Sequence, residues 1–388
     1  MKHSAWLTSR ATFVCLCLLA LLVLVAEYKR YLQDAERRSS SHSWPSMRYG
    51  DQCVHHDVIE PLVTDFDRIT QILHVSADLL DHRIVEQVTN WNGPVSMTVV
   101  LRFVHQYSCT LGFLRQLRRE SPAIARHLKA HIIFPGSWTS NCSLPYVRGV
   151  KECDKSQEAS ITEIARYPAN VARNVARIFS SSKYIIITDY EHLFSEGFEA
   201  KVRAIAARRL VEKPHTMLVY RIFEIDEKIK QMPRDKSALY KLFLAESAVV
   251  FHARYYPGAH EIDGLLEWFQ RNSTADGLFV KNLSYDRSNW EPQFVSLAQI
   301  PFHDENFPFQ LRDNTVLRWE MCRANYSIDV LDDVFMFHRG IKGKSSGERS
   351  RAVQKENSAK FEVALERFIE RMDREYPATK KKCPAPER

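Results

Sequence analysis

Four strand-forming apolar residues, Tyr184 to Ile187, run straight into an acidic pair, Asp189 and Glu191. Apolar blocks bounded by polar stops recur along the middle of the chain. An uninterrupted β-branched and aromatic block of this length reads as a strand buried on both faces. The same reading gives a first strand over Gly93–Phe103, a helix over Tyr107–Leu128 that breaks at Pro122 and resumes, and a strand over Ala130–Gly136. A helix over Pro168–Phe179, the strand Tyr184–Thr188, a helix over Glu199–Val211 and a strand over Thr216–Ile225 follow. Alternating strands and helices predict a mostly parallel, three-layer α/β domain, without internal repeats. In such sheets ligands bind at the C-terminal edge of the strands, which is where Asp189 and Glu191 fall.

The helix before the acidic turn carries a second pattern. In "YPANVARNVARIF" a period of 100° per residue groups Asn170, Arg173, Asn174 and Arg177 on one face and Val171, Ala172, Val175 and Ala176 on the other. Two asparagines among arginines are poor helix formers. A solvated polar face is the plain alternative. Asn offers a donor and an acceptor, and Arg offers a fork for phosphate or carboxylate, so the face suits a nucleotide sugar.

Composition adds bounds. With 388 residues, 45% of them apolar, the chain can bury a large core, which rules out wholesale disorder. Ala11–Ala26 is uncharged, with basic residues on both sides, and predicts a transmembrane signal-anchor at 11–27 behind a cytosolic tail at 1–10. A cleaved signal peptide competes less well, because the apolar run is long for an h-region and Leu24 spoils the small-residue cleavage pattern. The charged, Ser-rich segment that follows reads as a stem over 28–85, the globular domain spans 86–376, and 377–388 reads as a solvated basic tail. Six cysteines beyond the apolar run suit disulfides, although spacing does not choose among fifteen pairings. Glycosylation triplets start at Asn141, Asn272, Asn282 and Asn325, and together they place the globular domain in the secretory lumen. The formal charge of +7 is dispersed, which argues against nucleic acid and for a small anionic ligand.

A divalent cation would neutralise charge building on a diphosphate leaving group, and hard cations such as Mn2+ or Mg2+ prefer carboxylate oxygens. Asp189-Tyr190-Glu191 can present two of them. An acid-x-acid triplet is otherwise common in solvated loops; its position after a buried strand distinguishes this one.

In order, Tyr167-Pro-x-Asn-x-x-Arg-Asn-x-Ala-Arg177, the acidic triplet, "FSEGF", "WEP" at Trp290–Pro292, "PFHDENF" at Pro301–Phe307 and "VLDDVFMFHRGIK" at Val330–Lys342 resemble family 49 glycosyltransferases. The resemblance covers roughly Ser96–Lys342. It implies a GT-A-type, Rossmann-like domain in a Golgi type II membrane protein, a UDP-sugar donor, a glycan or glycoprotein acceptor, Mn2+ and inversion at the anomeric carbon. It also implies that Asp189, Glu191 and His338 hold the metal. Glu191 departs from the family's Asp, and one methylene moves its carboxylate by roughly an ångström or more.

An inverting transfer needs a base for the acceptor hydroxyl, and Asp304 and Glu305 are the candidates, with no choice between them. A turn capped by Asp304 is the plain alternative. Trp290, Glu291 and Phe294 are placed at the acceptor, while Arg102 and His105 contact uridine or diphosphate. Arg173, Arg177 and Arg221 are available for the carboxylate of a glucuronate donor. The competing function is an inactive lumenal protein of the same fold that binds a glycan or a partner enzyme.

Overall fold

The computed structural model describes residues 26, 27, 29, 45–146, 153, 158–254, 256–343 and 347–387. Apart from Ala26 and Glu27, the expected anchor at 11–27 and the tail at 1–10 lie outside the described residues. No helix among those described is long and apolar enough to cross a membrane.

From Pro45 onward the chain forms one body. Its first half contains β1 (Ser46–Tyr49), β2 (Gln52–Ile59), β3 (Ile69–Ser76), α1 (Arg83–Trp91), β4 (Val95–Val100), α2 (Gln106–Glu120), α3 (Pro122–His127), β5 (Leu128–Pro135), α4 (Ile161–Ala165), α5 (Ala169–Ile178) and β6 (Tyr184–Ile187). Next come β7 (Leu193–Phe194), α6 (Phe198–Glu212), β8 (Thr216–Ile225), α7 (Lys236–Leu244), β9 (Ala248–Val250), α8 (Leu265–Gln270), β10 (Leu278–Leu283), β11 (Gln293–Leu297), α9 (Thr315–Arg323), β12 (Ser327–Arg339) and α10 (Glu348–Glu375). Every element expected between Gly93 and Ile225 is present, and the Pro122 break separates α2 from α3.

The strands join one sheet in the order β1-β2-β5-β4-β3-β6-β11-β8-β12-β10, with β7 on β12 and β9 on β8. Neighbours are parallel from β5 through β4 and β3 to β6. Strand β11 then runs antiparallel to both β6 and β8, and β8 pairs parallel with β12. The sheet is therefore mixed rather than mostly parallel. An apolar block marks a strand but not its direction, which the long excursion between β8 and β11 sets.

Two boundaries need correction. The expected stem at 28–85 contains β1, β2 and β3, and β3 is an inner strand of the parallel set. Its polar residues mask it in the sequence, yet inside the fold Gln71 donates to the Thr188 hydroxyl at 2.9 Å and His74 Nδ1 meets the Tyr167 hydroxyl at 2.8 Å; on the neighbouring β2, His55 meets the Tyr107 hydroxyl at 3.0 Å and the Cys142 carbonyl at 2.6 Å. The expected solvated tail is also pinned: Cys383 is bonded to Cys322, and the Thr379 hydroxyl donates to the Arg323 carbonyl at 2.5 Å. The other bridges are Cys53–Cys142 and Cys109–Cys153, so all six cysteines beyond the apolar run are paired.

Helix α5 is fastened to this sheet from beneath. Ala172 and Val175 pack with Val54, Val100 and Ile133. A polar chain runs alongside: His131 on β5 accepts the Asp57 N–H through Nδ1 (3.1 Å), so its proton is on Nε2. Nε2 donates to Ser96 Oγ (3.1 Å), which donates to the Ala176 carbonyl (2.6 Å). Burial, opposed by Asp57, holds the pKa of His131 down to about 3. Below its ordinary pKa of about 6.5 the unfolded chain takes up a proton that the folded chain refuses, so stability rises with pH across this window and is lost as pH falls. His131→Gln is expected to remove about 1.4 kcal/mol per pH unit from that slope between about pH 6 and 4. Urea unfolding over a pH series measures it; an unchanged slope contradicts a neutral His131.

Candidate active site

The C-terminal ends of β3, β4, β5 and β6 open onto one cavity of about 1550 Å³. Ser76 and Asp78 line it after β3, Arg102 after β4, Trp138 after β5, and Asp189 and Glu191 after β6. The chain leaves β3 for β4 and β5 on one side and returns to β6 on the other. The cavity thus sits at the reversal of strand order where open α/β sheets hold ligands. His260, Glu291, Asp313 and Lys342 form walls contributed by the second half of the chain. The volume exceeds the roughly 300–1,000 Å³ of a drug-sized pocket, leaving room for two reactants.

The acidic turn is held open by its neighbours. The Asp189 N–H donates to His192 Nδ1 (3.2 Å), and Gln87 both donates to the Asp189 carbonyl (3.2 Å) and accepts from the Glu191 N–H (2.9 Å). These bonds hold Glu191 at φ +77°, a left-handed conformation costly for a residue with a side chain. Asp189 opens onto the cavity, its side chain 56% exposed, with Arg173 Nη2 3.7 Å from its carboxylate. Desolvation by the surrounding cavity walls opposes ionisation, but His192, Arg173, His74 and Lys342 outweigh it and hold the carboxyl well below the usual range. Arg173 is fixed in turn by Asp313 (2.8 Å) and Asn170 (2.8 Å).

Glu191 is ion-paired with Arg83, which also binds Asp81 at 2.8 Å. On its other side, His338 Nε2 lies 4.0 Å from Glu191 Oε2. His338 Nδ1 faces the Gly340 carbonyl (3.3 Å); a carbonyl only accepts, so Nδ1 carries the proton and Nε2 offers a lone pair. Ligand distances of about 2.0–2.2 Å let one ion reach both Glu191 and His338. Among the described residues, however, no three His, Cys, Asp or Glu side chains gather as a ligand set. The expected convergence of Asp189, Glu191 and His338 is thus not made in this arrangement, in which Arg173 and Arg83 each engage one of the acids.

The polar face of α5 divides. Arg173 reaches the cavity, whereas Asn174 binds His303 N–H and carbonyl and the Glu305 carboxylate, and Asn170 donates to the Asp304 carbonyl. Arg177 donates to the carbonyls of Pro301 (2.7 Å), Ile300 (2.8 Å) and Ala298 (3.4 Å). Asn170, Asn174 and Arg177 therefore clamp segment 298–304 instead of holding a cofactor. Helical periodicity groups such residues correctly but does not say what the face meets. Asp304 and Glu305, expected as the base, do not line the cavity. Asp304 pairs with Arg371 (3.2 Å), and Glu305 accepts from Tyr49 (2.8 Å) and Asn174 (2.7 Å).

Trp290 is 1% exposed and stacks on Tyr285 in the core, away from any acceptor, while the adjacent Glu291 does line the cavity. Arg102 lines it too, 3.2 Å from Asp78. Arg221 is buried against the Ile262 and Asp263 carbonyls, so it and Arg177 are unavailable to a donor carboxylate. The four glycosylation asparagines are all exposed. Asp78, His260, Asp313 and Lys342 escaped the sequence reading; only Lys342, ending the "FHRGIK" stretch, lay within a recognised motif.

A carboxylate- and arginine-lined cavity at this edge of a mixed sheet defines an α/β enzyme architecture built for a charged ligand. Residues 68–377 match the family described as "Glycosyl-transferase for dystroglycan", glycosyltransferase family 49, and the chain belongs to it. The mouse β-1,4-glucuronyltransferase 1 is 22% identical over 86% of this chain and 82% of its own length. The zebrafish β-1,4-glucuronyltransferase 1 is 24% identical over 64% of this chain, which spans only 57% of that relative. A LARGE-like glycosyltransferase of Caenorhabditis elegans is 22% identical over 48% of this chain and 28% of its own. Among solved structures, residues 1–349 of S. aureus TarS are similar over 81% of this chain and 73% of that one, at 10% identity and a TM-score of 0.33.

Replacing Arg177 by Met leaves three carbonyls, that of Ile300 buried, without their charged donor. The expected cost is about 2–4 kcal/mol of stability, with nucleotide affinity of the folded protein unchanged. Denaturant unfolding and calorimetric UDP titration measure the two; lost affinity at full stability would return Arg177 to the ligand site.

Proposed function

We propose that this chain transfers a sugar from a UDP-sugar to a hydroxyl of a glycan, with a divalent cation, as a type II membrane protein of the Golgi with its catalytic body lumenal. What carries the reading is the placement of Asp189 and Glu191, with His338 beside them, at the strand-order reversal of a cavity large enough for donor and acceptor. Asp189, Glu191 and His338 are the residues that would hold Mn2+ or Mg2+, which when bound neutralises the diphosphate leaving group. Binding it requires Glu191 to exchange Arg83 for the ion. Arg173 and Lys342 supply further positive charge to the diphosphate, and Asp78 with Arg102 line the β3–β4 corner open to the uridine.

The glucuronyltransferase relatives make UDP-glucuronate the first donor to test. With Arg177 and Arg221 withdrawn, Lys342, Arg166 and Arg351 are among the cations that line the cavity on the way to its carboxylate. The pairing of both acids with arginines favours one competing reading, a protein that binds nucleotide or glycan without turnover. UDP release from a panel of UDP-sugars with Mn2+ separates the two. Release with at least one donor, cut about 100-fold or more by Asp189→Ala, is the expected result. UDP binding without release supports the inactive reading, and turnover untouched by Asp189→Ala contradicts the metal assignment.

A further inference from the structure

The transfer proposed above needs a proton acceptor on the acceptor side, and Asp304 and Glu305 are placed elsewhere. We propose that Glu291 is that base and that His260 shares the proton it takes. The inference rests on the transferase reading and deepens it.

Five of the other cavity carboxylates are held by arginines: Asp78 and Glu163 by Arg102, Asp189 and Asp313 by Arg173, Glu191 by Arg83, while Glu158 also lines the cavity. An arginine partner favours the ionised form and makes a carboxylate a weaker base. Glu291 differs. Its Oε1 accepts the Thr315 hydroxyl proton, and its Oε2 lies 3.9 Å from His260 Nε2. Its side chain is 23% exposed to the cavity, whereas that of His260 is only 4% exposed.

The tautomer of His260 is fixed by the backbone. Its Nδ1 lies 2.9 Å from the Glu291 carbonyl, which only accepts, so the proton is on Nδ1 and Nε2 carries a lone pair. Burial keeps the ring neutral against the pull of Glu291. Two acceptors, Glu291 Oε2 and His260 Nε2, therefore face each other. One proton arriving between them turns a repulsive contact into a hydrogen bond, which favours uptake when the acceptor hydroxyl must release it. The Glu291 N–H bonded to the Ala259 carbonyl (2.7 Å) holds the two segments in register.

The step balances. The acceptor O–H bond breaks and its proton passes to Glu291 Oε2, shared with His260 Nε2. The freed oxygen pair forms the bond to the anomeric carbon of the nucleoside-diphosphate sugar. The bond from that carbon to the diphosphate breaks, its electron pair leaving with the nucleoside diphosphate, and the proton returns to water when product departs. Glu291 is the catalytic residue; His260 is a positioning residue that acts through it. Charged and titratable groups near the pair are Arg318, Asp313, Asp189, Tyr285 and His252.

The test compares wild-type protein, Glu291→Gln and His260→Gln, with Mn2+ and the best donor of the panel. Glu291→Gln is expected to lower kcat by about 100- to 10,000-fold while UDP affinity stays within about twofold. His260→Gln is expected to lower kcat about tenfold and to shift the acid limb of the pH–rate profile downward by about one unit, because the carboxylate loses its proton-sharing partner. Should Glu291→Gln fail to fold, the His260→Gln profile decides, since a merely structural histidine would leave the limb in place. Transfer that survives Glu291→Gln with intact UDP binding overturns the dyad alone. Absence of both UDP binding and transfer in the wild type overturns the transferase reading itself, and the dyad with it.

Discussion

Arg173 is where the fold and the cavity meet. One end of its guanidinium is fixed by Asp313 and Asn170, and the other reaches the Asp189 carboxylate 3.7 Å away. Its helix is tied to the sheet by the His131–Ser96–Ala176 chain, and its outer face clamps segment 298–304. A charge this buried is tolerated only because acids flank it. The position of Asp189 is thereby set by packing, and the cavity floor inherits the rigidity of the sheet.

The same logic repeats around the cavity rim. Arg102 meets Asp78, and Arg83 bridges Asp81 and Glu191. Each acid on the strand edge already has a cation, so under the proposed function a diphosphate or a divalent ion would have to displace these pairs. Such exchange is inexpensive at the half-exposed Arg83–Glu191 pair, where water screens the charges, and harder at Arg173, which Asp313 continues to hold. Glu191, with its left-handed backbone and its half-exposed ion pair, is the member of the acidic turn whose partner is the less buried.

The middle of the fold was legible because its signals are local. An apolar block, a proline break and a helical period locate β4, β5, β6, β8 and the helices α2, α5 and α6 to within about three residues, while the short β7 and α4 carried no such signal, and the block YIII before Asp189 marked the ligand edge. What failed depends on partners far along the chain. Strands β2 and β3 hide behind histidines whose partners lie far along the chain, β11 slips between β6 and β8 in the opposite direction, and Cys383 returns to Cys322. The polar face of α5 was grouped correctly, but of its four residues only Arg173 faces the cavity, since spacing cannot tell a ligand from a backbone carbonyl as the partner of Asn170, Asn174 or Arg177. His260 and Glu291 come together from either side of α8 and β10, a pairing that no period announces.

The account stands on a diphosphate and a divalent ion meeting Asp189 at the reversal of strand order. The most direct measurement is a crystal structure of the protein with UDP and Mn2+, the ion located by its anomalous scattering. The account predicts an ion bonded to Asp189, Glu191 and His338 and to the diphosphate, with Arg83 released from Glu191. UDP bound elsewhere, or an ion avoiding these three residues while Arg83 keeps Glu191, would contradict it.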